Sequence, residues 1–213
     1  MADRKGLLIV LSGFSGAGKG TIMKHLLEEH PGMYNLSISA TTRKMRVGEA
    51  DGREYFFKTV KEFESMIKHG ELLEHANFNG NYYGTPKPYV MELLEQGKDV
   101  ILEIEVQGAL QVKKIFPDAI LLFVTPPDAV TLKNRLVGRA TETSEVIAER
   151  LAISCKESEL MSKYDYLIIN DSIETAVNQV HNIIQSEHFK TTKCMSQIEK
   201  IQDELKIYSK GDN

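Results

Sequence analysis

The sequence predicts a doubly wound α/β fold with a mainly parallel sheet, and three observations carry that expectation. Short, continuous apolar runs recur along the chain. Stretches with helical spacing follow most of them, and a glycine-rich loop joins the first run to the first helix. An apolar run without polar alternation reads as a strand covered on both faces, as parallel strands are. A parallel neighbour needs a crossover, so strand and helix alternate in such folds.

Leu7–Leu11, bounded by Gly6 and Gly13, is the first buried strand. After the loop, Thr21–His30 keeps helical spacing through Ile22, Leu26 and Leu27 until Pro31-Gly32 stops it. Asp99–Glu105 is the second strand and Gln107–Ile115 its helix, ended at Pro117. Ala119–Val124 is the third strand, closed by Pro126-Pro127; Tyr166–Ile169 is the fourth, with Glu174–His188 as the following helix. Two stretches break the rhythm. Residues 34–88 alternate and carry clustered aromatics, which predicts a small α+β insert with a short helix near Lys61–His69. Residues 134–150 are polar and arginine-bearing, which predicts a mobile lid. The core is then residues 1–33, 89–133 and 151–213. In the tail after Phe189, Met195, Ile198, Ile201 and Leu205 keep helical spacing, and the expectation is that this stripe packs on the core.

A chain of 213 residues is long enough for one sizeable domain with mobile inserts. Its net charge of −4 argues against a surface built to grip nucleic acid. Cys155 and Cys194 stand far apart with no histidine at metal-ligand spacing, so no disulfide framework is expected and a reducing compartment is the natural reading. The run Leu7–Leu11 is too short for a signal peptide or a membrane span. These features predict a soluble, cytoplasmic protein with no nucleic-acid or membrane partner. The oligomeric state is left open, a homo-oligomer included.

Gly13-Phe14-Ser15-Gly16-Ala17-Gly18-Lys19 directly follows the first strand and opens the first helix. Glycines let backbone N–H groups converge on an anion, the helix N-terminus adds partial positive charge, and Lys19 can reach β/γ oxygens. The context marks a nucleoside-triphosphate loop. Gly20 stands where a Ser or Thr usually meets Mg²⁺, with Thr21 next. Metal contact is therefore expected through water, by Thr21 or Glu105, with no direct protein ligand.

Ser37-Ile38-Ser39-Ala40-Thr41-Thr42-Arg43-Lys44-Met45-Arg46 is followed by Gly48-Glu49, Asp51-Gly52 and Tyr55-Phe56-Phe57. Glu74-His75-Ala76, Gly80–Thr85 and Glu103–Gly108 come next in order. Together they closely resemble the guanylate kinase signature. With the phosphate loop and Leu136-Val137-Gly138-Arg139, the resemblance covers the chain to about His188. It implies a P-loop NTPase core that moves a phosphoryl group from ATP to GMP with Mg²⁺ as cofactor.

The residues suit that chemistry. Arg43 and Arg46 can grip a phosphate dianion, and the Tyr55 and Tyr83 hydroxyls can add neutral donors; by resemblance these four hold the GMP phosphate. Glu74 can accept from both N1–H and N2–H₂ of guanine, and Ser39 and Thr85 can donate to O6. Glu105, longer than the aspartate the family often has, reaches either the acceptor or a Mg²⁺-bound water. In the lid, the resemblance sends Arg135, Arg139 and Arg150 to the transferring phosphate, although Arg135 also suits a solvated helix face. Ala140 replaces the glycine that usually follows Arg139. Asn170 resembles a residue near the ATP base, with a backbone-capping role as the other reading.

Three rivals are weaker. A GTPase switch needs an Asn-Lys-x-Asp run, which is absent here. A non-catalytic scaffold module typically has a degraded phosphate loop, and residues 13–19 are intact. An adenylate kinase is suggested only by Gly20-Thr21, and Glu74 opposes it.

Overall fold

A computed structural model describes residues 5–78, 80–138 and 143–209. In chain order, β1 (Leu8–Gly13) leads into α1 (Lys19–Glu29) and β2 (Tyr34–Leu36). A second unit follows: β3 (Ala40–Thr41), β4 (Phe56–Phe57), α2 (Val60–Lys68), β5 (Leu72–Phe78) and β6 (Asn81–Pro86). The chain then returns through α3 (Lys87–Glu95), β7 (Asp99–Glu103), α4 (Val106–Ile115) and β8 (Ile120–Thr125). It finishes with α5 (Ala129–Val137), α6 (Ser144–Ser158), β9 (Tyr166–Ile169), α7 (Ile173–Glu187) and α8 (Met195–Ser209).

The large sheet is parallel, in the order β2-β7-β1-β8-β9, so the strand that carries the phosphate loop lies at its centre. Successive β1 side chains enter opposite layers. Ile9 and Leu11 join Ile22 and Leu26 of α1 and Val177, Val180 and Ile184 of α7. Leu8 and Val10 join Val90 and Leu94 of α3 and Val112 of α4. Burial on both faces is why this strand shows no polar alternation.

The second unit is a four-stranded sheet, β4-β3-β6-β5, with β5 and β6 antiparallel. Helix α2 closes one side by burying Phe63 against Ala40 and Leu72. Its start is fixed by a capping box in which Thr59 Oγ1 accepts from Glu62 N and a Glu62 carboxylate oxygen accepts from Thr59 N. The expected short helix and α+β character are both present.

Two expectations need correction, the start of the insert and the packing of the tail. Tyr34–Leu36 pairs in parallel with Asp99–Ile101, so these residues belong to the large sheet and the insert begins after them, not at residue 34. Tyr34 is buried, and its hydroxyl meets His181 Nδ1 at 2.7 Å and Gln185 Nε2 at 3.1 Å on α7; the aromatic that suggested the insert is a core residue with a polar tip. In the stretch expected to form a lid, residues 134–137 complete α5 and 144–150 begin α6. Leu136 is fully buried there, and Ile147 and Leu151 pack against the core, a helical spacing that the polar composition masked. Residues 139–142, with Arg139 and Ala140, lie outside the described residues. The tail is helical as expected, yet Met195, Ile201 and Leu205 are exposed, so its stripe does not pack on the core.

Candidate active site

The phosphate loop is shaped by contacts that exclude side chains at two of its glycines. A Cβ at Gly13 would lie 2.0 Å from the Val124 carbonyl oxygen, and one at Gly18 would lie 2.4 Å from Asn170 Nδ2. Gly18 also takes φ of 95°, a left-handed conformation that L side chains rarely adopt. Lys19 Nζ donates to the carbonyls of Gly13 at 2.7 Å and Phe14 at 3.2 Å, folding back across its own loop. The Phe14 ring is buried edge-on against Phe123, so this residue offers the loop only its backbone.

Two arginines reach the loop from the helices beyond β8. Arg135 donates to the Asn170 carbonyl at 2.9 Å and the Ala17 carbonyl at 3.4 Å, so it is not a plain solvated charge. Arg150 Nη1 donates to Ser15 Oγ at 2.9 Å. Asn170 is 2% exposed, and its Nδ2 donates to the Ala17 carbonyl at 2.7 Å. Of its two readings, the structure favours the one that holds backbone.

Carboxylates gather beside Lys19. Desolvation raises the Glu103 carboxyl, Lys19 lowers it and Glu105 raises it again. Glu157, half-buried on α6, is pushed up to about 7 by burial and then by Glu105, with Lys19 opposing. Among the described residues no three Asp, Glu, His or Cys side chains form a cage for a metal ion. Hard oxygen donors without a cage suit Mg²⁺, which keeps several waters and takes substrate phosphates as ligands.

The insert gathers a second group of charged and aromatic side chains. Arg43 forms a fork-to-fork pair with Glu49, Nη2 to Oε1 at 2.8 Å and Nη1 to Oε2 at 3.0 Å. Its guanidinium lies 5.3 Å from the Tyr55 ring centroid and 5.7 Å from that of Phe57. The Tyr55 and Tyr83 rings meet at 6.0 Å. Glu49 also accepts from the Arg46 backbone N–H at 2.7 Å, and Arg43 followed by Arg46 holds its carboxyl below the usual range. The fold thus brings Arg43, Tyr55 and Tyr83 together, and Arg46 joins the group through its backbone N–H on Glu49. Sequence reasoning gave Glu49 no role; an acidic residue three after Arg46 and six after Arg43 was the available signal.

Beside this clamp, Glu74 is 7% exposed and accepts from Thr85 Oγ1 at 2.7 Å. Burial raises the Glu74 carboxyl and Thr85 counteracts it. Ala40 pairs with Gly84, which sets Ser39 beside Thr85 in the register. Strand β5 is tied to α4 by Gln111, which accepts from His75 N at 3.2 Å and donates to His75 O at 3.3 Å. The α4 residue Gly108 gives Glu74 its room: a Cβ there would stand 2.9 Å from Glu74 Oε2. The sequence reading assigned Gly108 no role either.

A phosphate loop on the central strand of a parallel sheet, with lysine and two arginines at its mouth, defines the P-loop nucleotide-binding class. The family model described as Guanylate kinase matches residues 5–187. The chain is 50% identical over 203 residues to a guanylate kinase of Enterococcus faecalis, covering 95% of this chain and 100% of that one. Against a guanylate kinase of Streptococcus pneumoniae it is 54% identical over 189 residues, 89% and 90% of the two chains. A solved guanylate kinase structure from Anaplasma phagocytophilum superposes with a TM-score of 0.70 at 30% identity, covering 91% of this chain and 92% of that one. The chain belongs to the guanylate kinase family.

Proposed function

We propose that this protein transfers the γ-phosphoryl group of ATP to GMP, giving ADP and GDP, as a cytoplasmic enzyme without nucleic-acid or membrane partners. The buried Glu74–Thr85 pair carries the choice of acceptor. An ionised Glu74 accepts from two guanine donors, N1–H and N2–H₂, while Ser39 supplies a hydroxyl for O6 and Thr85, whose one O–H goes to Glu74, holds that carboxylate in place. Adenine would turn an unprotonated N1 and a C2–H toward the same carboxylate, leaving a buried charge unpaired. Arg43, Arg46, Tyr55 and Tyr83 hold the GMP phosphate. Residues 13–21 hold the ATP phosphates, and Asn170 acts on that side by holding the loop.

A GMP phosphate oxygen attacks the γ-phosphorus in line; the new P–O bond forms as the bond to the β-phosphate oxygen breaks, and ADP leaves. No side chain acts as nucleophile. Lys19, Arg43, Arg135, Arg139 and Arg150 neutralise charge on the equatorial oxygens, which is the main task in phosphoryl transfer. Thr21 and Glu105 would hold Mg²⁺ through its waters. When bound, that ion neutralises charge on the β- and γ-phosphates.

Glu74→Gln tests the acceptor reading, because the amide turns a donor toward guanine's own N–H groups. Most of the GMP-over-AMP preference in kcat/KM should collapse while the KM for ATP hardly changes. An unchanged GMP/AMP ratio would show that this residue does not read the base.

A further inference from the structure

Glu74 owes its aim to an irregular strand. In β5 and β6, Leu72 pairs with Pro86 and His75 with Gly84, so Leu73 and Glu74 together stand opposite Thr85. Two residues against one make a β-bulge, a device that re-aims a side chain while disrupting the local ladder. Its two residues go separate ways. Leu73 is fully buried in the cluster that holds Leu8, Val10, Ala109 and Val112, while Glu74 meets Thr85 Oγ1. Strand β5 is also the edge of its sheet, so no further strand stiffens the bulge from its other side.

Gln111 does so instead. Its side chain accepts from His75 N–H at 3.2 Å and donates to the His75 carbonyl at 3.3 Å, the two groups a neighbouring strand would take. Only one orientation of the amide satisfies both, with oxygen on the N–H and nitrogen on the carbonyl. Gln111 stands on a firm base, because Ala109 and Val112 of the same helix are fully buried in the cluster that holds Leu73. Gly108, three residues earlier and so on the same face of α4, leaves the room that Glu74 Oε2 occupies. Helix α4 therefore acts on consecutive residues of β5: Gly108 on the Glu74 side chain, Gln111 on the His75 backbone.

We propose that Gln111 is a positioning residue for acceptor selection, holding the bulge so that the Glu74 carboxylate stays aligned with guanine, a role that depends on Glu74 reading the base. Pairing one carboxylate with two donors at once demands a fixed orientation as well as a charge. With its outer edge released, His75 can shift and carry Glu74 with it, and the single bond from Thr85 does not by itself fix both carboxylate oxygens. The loss falls on guanine, whose N1–H and N2–H₂ need that alignment. Adenine offers no N–H at those positions and has nothing to lose. The ATP side is untouched, because the phosphate loop follows β1 and shares no bond with Gln111.

The test compares wild type, Gln111→Met and Gln111→Glu in steady-state kinetics with GMP, AMP and ATP each varied in turn, alongside thermal melts. Methionine keeps the length of the side chain and makes neither bond. Gln111→Met should lose about tenfold or more in kcat/KM for GMP, chiefly as a rise in KM, the scale of two neutral hydrogen bonds. Its kcat/KM for AMP and KM for ATP should match the wild type, so the GMP/AMP ratio falls by the same factor. Gln111→Glu keeps the acceptor for His75 N–H and should fall between the two; it decides the matter if the methionine variant does not fold. A wild-type GMP/AMP ratio in either folded variant overturns the proposal. So does an equal loss for GMP and AMP, which marks a residue that only supports the fold. A wild type without any preference for GMP would instead remove the base-reading role of Glu74, and that of Gln111 with it.

Discussion

Gly108→Ala separates a stability effect from a recognition effect at one atom. Gly108 lies in the first turn of α4, where alanine is the better helix former by at most the roughly 0.5–1 kcal/mol of a helix interior. Here the new methyl would stand 2.9 Å from Glu74 Oε2 and 3.4 Å from Cδ and Cγ of the same side chain. Comfortable contact begins at about 3.5 Å, so the carboxylate must retreat by roughly half an ångström. Its 2.7 Å bond from Thr85 is then stretched or lost, along with the alignment that meets guanine. A hydrogen bond to a charged group is worth about 1.5–3 kcal/mol, or about 10- to 150-fold in kcat/KM for GMP. The helix should hold or gain thermal stability, and the KM for ATP should stay the same. Steady-state kinetics with each substrate varied in turn, together with a thermal melt, measures all three. A variant with normal kcat/KM for GMP would refute the claim that the room beside Gly108 sets the Glu74 geometry.

Two further outcomes follow from local geometry. The His30 and His181 rings stack 3.8 Å apart and nearly parallel between α1 and α7, and His181 also bonds Tyr34. Burial, followed by the charge of His30, holds His181 below its ordinary 6.5. The unfolded chain therefore takes up this proton first, so the contribution to stability is complete above pH 6.5 and is lost as pH falls below it. Melts on either side of that value should show a smaller acid loss in His181→Gln; an identical loss would remove the pair from the account. Gly20→Ser should keep turnover of the same order and the same Mg²⁺ dependence, because the nearest atom to its Cβ is Glu103 Oε1 at an ordinary 3.7 Å. Inactivation of a folded Gly20→Ser protein would contradict that.

The parts of the fold that were legible in the sequence are those where one residue's environment repeats along an element. Leu8–Leu11 is buried on both faces and reads as apolar throughout, so the central strand was plain. Tyr34–Leu36 was misplaced because a three-residue edge strand is too short for a period, and Tyr34 shares its aromatic character with the insert. The helix over 144–150 is hard to read from sequence because α6 shows the core only a narrow line, Ile147 and Leu151, beneath charged neighbours. At the site, anion-gripping residues announce themselves by charge and motif. Glu49 and Gly108 act through other residues, one on Arg43 and one on Glu74, and such roles become visible only when distances are known. The α8 stripe has helical spacing in either setting; exposure alone separates a helix on the core from one that faces outward.

Phosphoryl transfer from ATP goes to GMP, and the proposed role of Glu74 is to select that acceptor. The decisive assay offers GMP, AMP, UMP and CMP separately to the wild type with ATP and Mg²⁺ and follows ADP release. A site built to hydrogen-bond its substrate rejects analogues lacking the donors by about 10⁴–10⁵. Rapid ADP release is expected with GMP, with GDP formed in equal amount, and kcat/KM lower by orders of magnitude for the other three. Comparable rates with AMP, or ADP release without any nucleoside monophosphate at the GMP rate, would contradict it.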